Sequence, residues 1–432
     1  MRNVMIFSGG AYPGIEVYYA LKDSVIFHPI MASSYSDHSS FVTEDYIENM
    51  PFTYEDDFAE KLNKILVARD VEFIIPTHDT IAMVLMENAE KLSATVVCSP
   101  RETAELCRFK SKTYEKLEGY SFVPTLYKEV NNDITFPLFA KPDDGQGSVG
   151  AQKVNNFNEL EKVLNDKNKV VCEYLPGDEY TIDCFTNKNG ELVFINPRKR
   201  ARIQYGISAR AESVENETPF IEIAEAVNSK IRFRGYWFIQ LKEDKGGNLK
   251  LLELCTRFSG TFNHSQGYGV NLPLLAVSDF SGMNVSITKN KYKVTTDKSF
   301  VDRYIIDYKY NRIYIDYDDT ITSNNGKTVN PFVIAYLYQC KNDGKEIILL
   351  TRHSVSEGSL LSEDMERLGL SSFLFNKIVE LTWNDEKTTF MDNEKTSIFI
   401  DNSFTERKNV FEKLNIPVFD VAHVACLFDW RK

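Results

Sequence analysis

Two aspartates stand one residue apart where an apolar run gives out, in Arg312-Ile313-Tyr314-Ile315-Asp316-Tyr317-Asp318-Asp319-Thr320. Carboxylates crowded at a strand end repel one another, so the arrangement calls for a bound cation. A second apolar run, Ile347-Ile348-Leu349-Leu350, stops at Thr351, and a third, Ser397-Ile398-Phe399-Ile400, stops at Asp401. Parallel strands bring their carboxyl ends to one crevice, where these groups would converge.

A different chemistry is written upstream. Phe139-Ala140-Lys141 reads as a strand that delivers a lysine into Pro142-Asp143-Asp144-Gly145-Gln146-Gly147-Ser148-Val149-Gly150. A loop so rich in glycine can fold its N–H groups round a polyphosphate while the lysine neutralises charge. In Val170-Val171-Cys172-Glu173-Tyr174-Leu175, an apolar strand ends in an acid and a short apolar link. That suits an adenine, whose amino group needs acceptors and whose faces need apolar walls. Glu179, just beyond, can accept from ribose hydroxyls. The runs Trp237–Lys242 and Lys250–Gly260 flank the turn Asp244-Lys245-Gly246-Gly247-Asn248. Hairpin pairing there sets Gln240 beside Glu253, two oxygen donors of the kind a nucleotide-bound Mg²⁺ takes. Arg257 can then stabilise charge on a transferring phosphoryl group. In Arg198-Lys199-Arg200-Ala201-Arg202, alternation along a strand puts three guanidiniums on one face, suited to an anionic substrate.

The elements that must position these groups alternate between β and α. Val4–Phe7 reads as a strand, Ser8–Gly14 as a tight turn and Glu16–Lys22 as a helix; a strand through Pro76 and a helix over Ile81–Leu92 repeat the rhythm. Residues 286–308 are polar and unpatterned and read as a join. The expected organisation is an α/β domain over 1–107, a nucleotide-handling domain over 108–286 and a second α/β unit over 308–432. At 432 residues, two to four domains are expected. The net charge of −12 argues against nucleic acid as a partner. The seven cysteines include no CxxC pair, which points to reduced thiols in the cytoplasm and no structural zinc. No apolar stretch reaches membrane-spanning length. There is no GxxxxGK[ST], and the early glycines lack dinucleotide-fingerprint spacing.

In this order and spacing, the upstream segments resemble the ATP-grasp superfamily, in its carbamoyl-phosphate-synthase-like branch. The resemblance implies a Rossmann-like domain ahead of an ATP-grasp domain, α/β followed by α+β. It implies that a carboxylate is activated by ATP as an acyl phosphate and attacked by an amine or related nucleophile. It assigns Lys110 and Lys141 to the ATP phosphates, with Lys112 competing for the first role. Gly145, Gly147 and Ser148 fall to the phosphate loop, Glu173, Tyr174 and Leu175 to the adenine hinge, and Glu179 to the ribose. Gln240 and Glu253 become Mg²⁺ ligands (Mn²⁺ serving as an alternative ion), and Arg257 the catalytic arginine. The basic cluster with Arg198, Arg200 and Arg202 suits either an anionic acceptor or the acyl phosphate. Many members carry Asn two residues after the metal-binding Glu; here it is Cys255, a poor ligand for Mg²⁺.

The downstream segments resemble the haloacid dehalogenase superfamily. This implies a capless Rossmann-like phosphatase, since about thirty residues between Thr320 and Thr351 leave no room for a large cap. Asp316 would be the nucleophile, Asp318 the general acid/base, Thr351 the phosphate ligand, and Asp316, Asp318 and Asp401 the Mg²⁺ site. Lys387 is the first candidate for the charge-neutralising lysine, with Lys377 and Lys395 as rivals. Asn402 stands where many relatives carry a second acid. The combined expectation is a bifunctional enzyme acting on small carboxylates, amines and phosphate esters, with a homodimer as its candidate assembly. Two rivals are a ligase with a structural second unit and a nucleotide-sensing scaffold.

Overall fold

The computed structural model describes residues 1–432 apart from 132, 146–148, 205, 300, 302, 305 and 393–395. The chain divides into two compact units, Met1–Phe300 and Val301–Lys432. No helix among the described residues is long and apolar enough to cross a membrane.

The first unit opens with a parallel sheet of β1 (Arg2–Phe7), β2 (Phe27–Ala32), β3 (Tyr46–Ile47), β4 (Val71–Pro76) and β5 (Thr95–Val96), in the order β3-β2-β1-β4-β5. Val4 to Phe7 are all buried, as a central parallel strand covered on both faces must be. The expected turn occupies Ser8–Gly10, and a helix follows over Tyr12–Leu21. At Gly10 a Cβ would lie 2.1 Å from the Asp37 carboxyl carbon and displace that carboxylate, which accepts the Gly10 N–H at 3.1 Å. A small sheet, β7-β6-β8, is built from β6 (Leu138–Pro142), β7 (Gln152–Val154) and β8 (Lys169–Glu173).

The largest sheet has six strands: β9 (Glu179–Thr186), β10 (Leu192–Gln204), β11 (Ile207–Ser213), β12 (Gly235–Glu243), β13 (Leu249–Cys255) and β14 (Thr295–Asp297), ordered β13-β12-β9-β10-β11-β14. Asp244 shapes the β12–β13 turn by accepting from the Gly246 and Asn248 N–H groups, and the turn sets Gln240 opposite Glu253. Strand β14 lies inside the stretch expected to be an unpatterned join. Three residues are too few to show a period of two; the strand is fixed instead by pairing with β11 and by the Asp297–Arg210 ion pair at 2.7 Å. The boundary expected at residue 107 falls within the first unit. There one apolar cluster joins Val4, Ile6 and Phe73 to Phe238, Phe258 and Leu272.

The second unit is a parallel sheet of β15 (Arg312–Ile315), β18 (Glu346–Thr351), β19 (Lys377–Glu380), β20 (Ser397–Ile400) and β21 (Val418–Phe419), ordered β19-β18-β15-β20-β21. The pair β16 (Thr322–Ser323) and β17 (Thr328–Val329) forms a small hairpin between Asp318 and the helix Pro331–Asn342. Counted within the sheet, the strand order is 3-2-1-4-5, the same as in the first sheet.

Candidate functional site

In the first unit, loops beyond β1 and β4 and the edges of both later sheets enclose a cavity of about 480 Å³. Lys141 is buried on β6, where its Nζ donates to the Tyr114 hydroxyl at 2.7 Å and the Leu252 carbonyl at 3.0 Å. Burial pulls its pKa below the ordinary lysine value, and nearby Lys110 adds to the effect. Lys110 begins the helix Lys110–Lys116 and donates to the Gly145 carbonyl at 2.7 Å and the Asp143 carbonyl at 3.2 Å. Its Nζ also lies 4.0 Å from the Glu253 carboxylate. Two desolvated ammonium groups on one wall are a standing demand for an anion. Lys112, the competitor, is half-exposed, pairs with Glu105 at 2.5 Å and does not line the cavity. Gly145 lines it; Gly147 and Ser148 lie outside the described residues.

Phe139, Cys172, Tyr174 and Leu175 supply part of the apolar lining. The Glu173 carboxylate is engaged by the Thr125 N–H at 2.9 Å, so Glu173 offers the cavity its strand end rather than a free acid. Gln240 and Glu253 sit side by side on β12 and β13, and both face the cavity. Among the described residues, no three His, Cys, Asp or Glu side chains form a ready-made metal cage. Two protein oxygens beside two lysines nevertheless fit a Mg²⁺ that keeps phosphate and water oxygens as its remaining ligands. Burial pushes the Cys255 thiol well above its ordinary pKa, so it stays neutral and is no partner for that ion.

Arg257 is anchored by Asp79, a residue of the segment Pro76-Thr77-His78-Asp79 to which the sequence alone assigns no role. Its Nη2 meets the Asp79 carboxylate at 2.8 Å, and its guanidinium lies over the Phe238 ring. Burial alone would raise the Asp79 pKa, but Arg257 outweighs it and holds the acid below the carboxylate range. Asp79 opens the helix that follows β4, which is the signal that could have found it.

The three arginines of β10 do not share a face. Arg198 is fully buried: it makes two bonds to Asp183, at 2.7 and 3.3 Å, and others to Thr261 at 2.8 Å and Ser259 at 2.9 Å. Arg200 pairs with Glu179 and donates to Gln240 at 3.0 Å, so the acid expected at the ribose also anchors an arginine. Arg202 leaves the group. Arg200 faces Ala211 and Arg202 faces Arg210, a bulge at Ala201 that breaks the alternation. Its guanidinium reaches Asp297 at 3.0 Å, and it does not line the cavity. The expected tripositive patch is therefore two guanidiniums, each with a carboxylate beside it. Asp183→Ala would strand the Arg198 charge in a buried setting and should cost about 3–5 kcal/mol of the first unit's stability, measured by urea unfolding.

In the second unit, Asp316 and Asp401 end adjacent strands, β15 and β20, and both are buried. Lys387 lies between them, its Nζ 2.5 Å from Asp316 and 2.6 Å from Asp401. Lys377 is exposed at the start of β19, and Lys395 lies outside the described residues. Desolvation drives the Asp316 pKa up to about 7 against the pull of Lys387, and burial raises Asp401 as well. Lys387 already supplies a cation between these two acids, and among the described residues Asp316, Asp318 and Asp401 do not gather as a ready-made metal cage. Thr351 is buried, and its hydroxyl oxygen accepts the His353 N–H at 3.0 Å, leaving its own hydrogen for an incoming oxygen. Thr320 links Asp316 to Asn402, donating to Asp316 at 3.3 Å and accepting the Asn402 N–H at 3.1 Å. Asp318 is the most open of the acids, with 29% of its side chain exposed, and it bonds His353. His353 escaped the sequence reading; its position two residues past a strand-terminal threonine was the available sign.

Residues 165–302 match a family of ATP-grasp proteins from a biosynthetic pathway associated with the Ter operon. The D-alanine–D-alanine ligase A of Bacillus cereus is 25% identical over 190 residues, which cover 40% of this chain and 62% of that ligase. The chain thus spans less than two thirds of that relative's length. Among solved structures, the biotin carboxylase of Campylobacter jejuni in its β,γ-ATP complex superposes with a TM-score of 0.56 at 13% identity, over 68% of this chain and 74% of that one. N5-carboxyaminoimidazole synthetase from Staphylococcus aureus, bound to ADP, gives 0.54 at 16% identity over 67% and 78%. With the two lysines, the apolar hinge and the Gln240–Glu253 pair already assembled, these likenesses identify the fold: the chain carries an ATP-grasp fold.

Proposed function

We propose that the first unit is an ADP-forming ligase that joins a carboxylate to an amine. The observation that carries this reading is the gathering of Lys110, Lys141, Gln240, Glu253 and Arg257 round one cavity. A carboxylate oxygen attacks the terminal phosphorus of ATP, the bond to ADP breaks, and the amine then displaces phosphate from the acyl carbon and loses a proton. Lys110 and Lys141 hold the charge of the phosphates. Arg257, fixed by Asp79, meets the charge that develops on the transferred group. Gln240 and Glu253 would hold a magnesium ion, which would supply further charge neutralisation when bound. The sequence likeness to a ligase of two amino acids favours amino-acid-sized substrates.

The second unit is, in this reading, a Mg²⁺-dependent phosphatase of the haloacid dehalogenase type. Asp316 attacks the ester phosphorus, the leaving oxygen takes a proton from Asp318, and water then hydrolyses the aspartyl phosphate. A purely structural second unit has no need for a lysine gripped between two buried acids. Purified protein should release ADP and phosphate only when one member of a panel of amino-acid pairs is added with ATP and Mg²⁺. Release with none of the pairs, or equal release without an amine, would sink the ligase assignment.

A further inference from the structure

We propose that His353 is a positioning residue that aims Asp318 at the leaving group; the inference rests on the phosphatase reading of the second unit. Asp318 lies on the turn beyond β15, and the next residue, Asp319, has φ +52°. An acid so placed can swing into solvent, yet to protonate a leaving oxygen it must hold one rotamer. His353 supplies the restraint. Its Nδ1 is 2.7 Å from the Asp318 Oδ1; with Nδ1 carrying the hydrogen, Oδ1 accepts and the proton for the leaving group sits on the other Asp318 oxygen. The other ring nitrogen lies 3.2 Å from the Ser359 hydroxyl, which then donates to it. The ring is buried, with the edge of Tyr317 against it at 5.2 Å and 82°. A ring bonded at both nitrogens and packed against an aromatic edge does not rotate, and neither does the carboxylate it holds.

The same residue reaches the phosphate side of the site, because its backbone N–H is the donor to Thr351. One residue thus fixes both the acid that meets the leaving group and the hydroxyl that meets the phosphate. Tyr317, which packs on the ring, is held in turn by donating to Asp364 at 3.0 Å. The His353 backbone contact survives any substitution but proline, so side-chain variants test the Asp318 contact alone.

The experiment compares His353→Phe, His353→Asn and His353→Gln in the full chain on two esters. Dinitrophenyl phosphate has a leaving group that departs without a proton; an alkyl phosphate needs one. In the first turnover, the P–O ester bond breaks as the Asp316–phosphorus bond forms, and only the alkoxide takes the Asp318 proton. His353→Phe should keep a rapid burst of one dinitrophenolate per site, while first-turnover cleavage of the alkyl ester falls roughly 10²-fold, near the low end of what a general acid contributes. KM should stay within about twofold, since a misaimed acid leaves ground-state binding in place. Asparagine places an N–H where Nδ1 stands and should recover most of the loss. Glutamine, whose amide sits nearer the Ser359 side, should recover less. Should the phenylalanine variant fail to fold, the Asn–Gln contrast still decides. Equal losses on both esters, or equal behaviour of Asn and Gln, would overturn the positioning role while hydrolysis remains Asp316-dependent. Absence of Asp316-dependent hydrolysis in the unaltered protein would overturn the phosphatase reading and this inference with it.

Discussion

Asp316→Asn should abolish ester hydrolysis by the second unit, by at least about 10⁴-fold, a loss typical of removing a nucleophile. An amide oxygen is too weak a nucleophile to form the phosphoryl bond, and Asp316, just beyond β15, is the carboxylate there that Lys387 bonds at 2.5 Å. ADP formation should be untouched, because the ligase groups all lie in the first unit. Hydrolysis at the unaltered rate would remove Asp316 from the nucleophile role. The same variant should shift stability with pH in the absence of metal. A carboxyl whose folded-state pKa is raised to about 7 is favoured protonated. Its contribution is therefore complete below the unfolded carboxyl pKa of about 4 and is lost as pH climbs through 7. Asparagine carries no such dependence, so the melting temperature of Asp316→Asn relative to the unaltered chain should rise from pH 5 to pH 8. A gap that narrows would contradict the raised pKa.

Lys141→Ala and Glu253→Ala should each silence the ligase. Loss of Lys141 removes a buried cation already free of solvent, aimed into the cavity by Tyr114 and the Leu252 carbonyl, and the rate should fall about 10²–10³-fold. Loss of Glu253 leaves Gln240 as a lone neutral oxygen donor in the cross-strand pair. Excess Mg²⁺ should partly restore Glu253→Ala and leave Lys141→Ala unchanged, because only the first defect lies in holding the ion. Hydrolysis of an aryl phosphate by the second unit should survive both changes. Its loss in either variant would show that the two chemistries share groups.

The strand ends and the hairpin were legible in the sequence for a plain reason: continuous apolar runs that stop at Asp316, Thr351 and Asp401 mark buried parallel strands, and Asp244 with its glycines marks a turn of fixed register. Lys387 was legible by position, and its bonds to two acids set it apart from Lys377. What stayed hidden depends on three dimensions. The bulge at Ala201 has no compositional mark, so counting by twos put Arg202 beside Arg198 and Arg200. Asp183 supplies the charge that neutralises Arg198, but an acid inside the apolar run of β9 could not name its partner from sequence. Arg257 and Asp79 are 178 residues apart in the chain, and no local pattern links them.

The repeated 3-2-1-4-5 order bears on how such a chain can change over generations. In both units the central strands are sealed in apolar cores, whereas several of the candidate site residues sit just beyond strand ends: Tyr12 and His78, which line the first unit's cavity beyond β1 and β4, and Asp316, Asp318 and Asp401 in the second unit. Heredity can therefore rewrite what each crevice accepts by altering short connecting segments, while the sheets that carry the stability pass on unaltered.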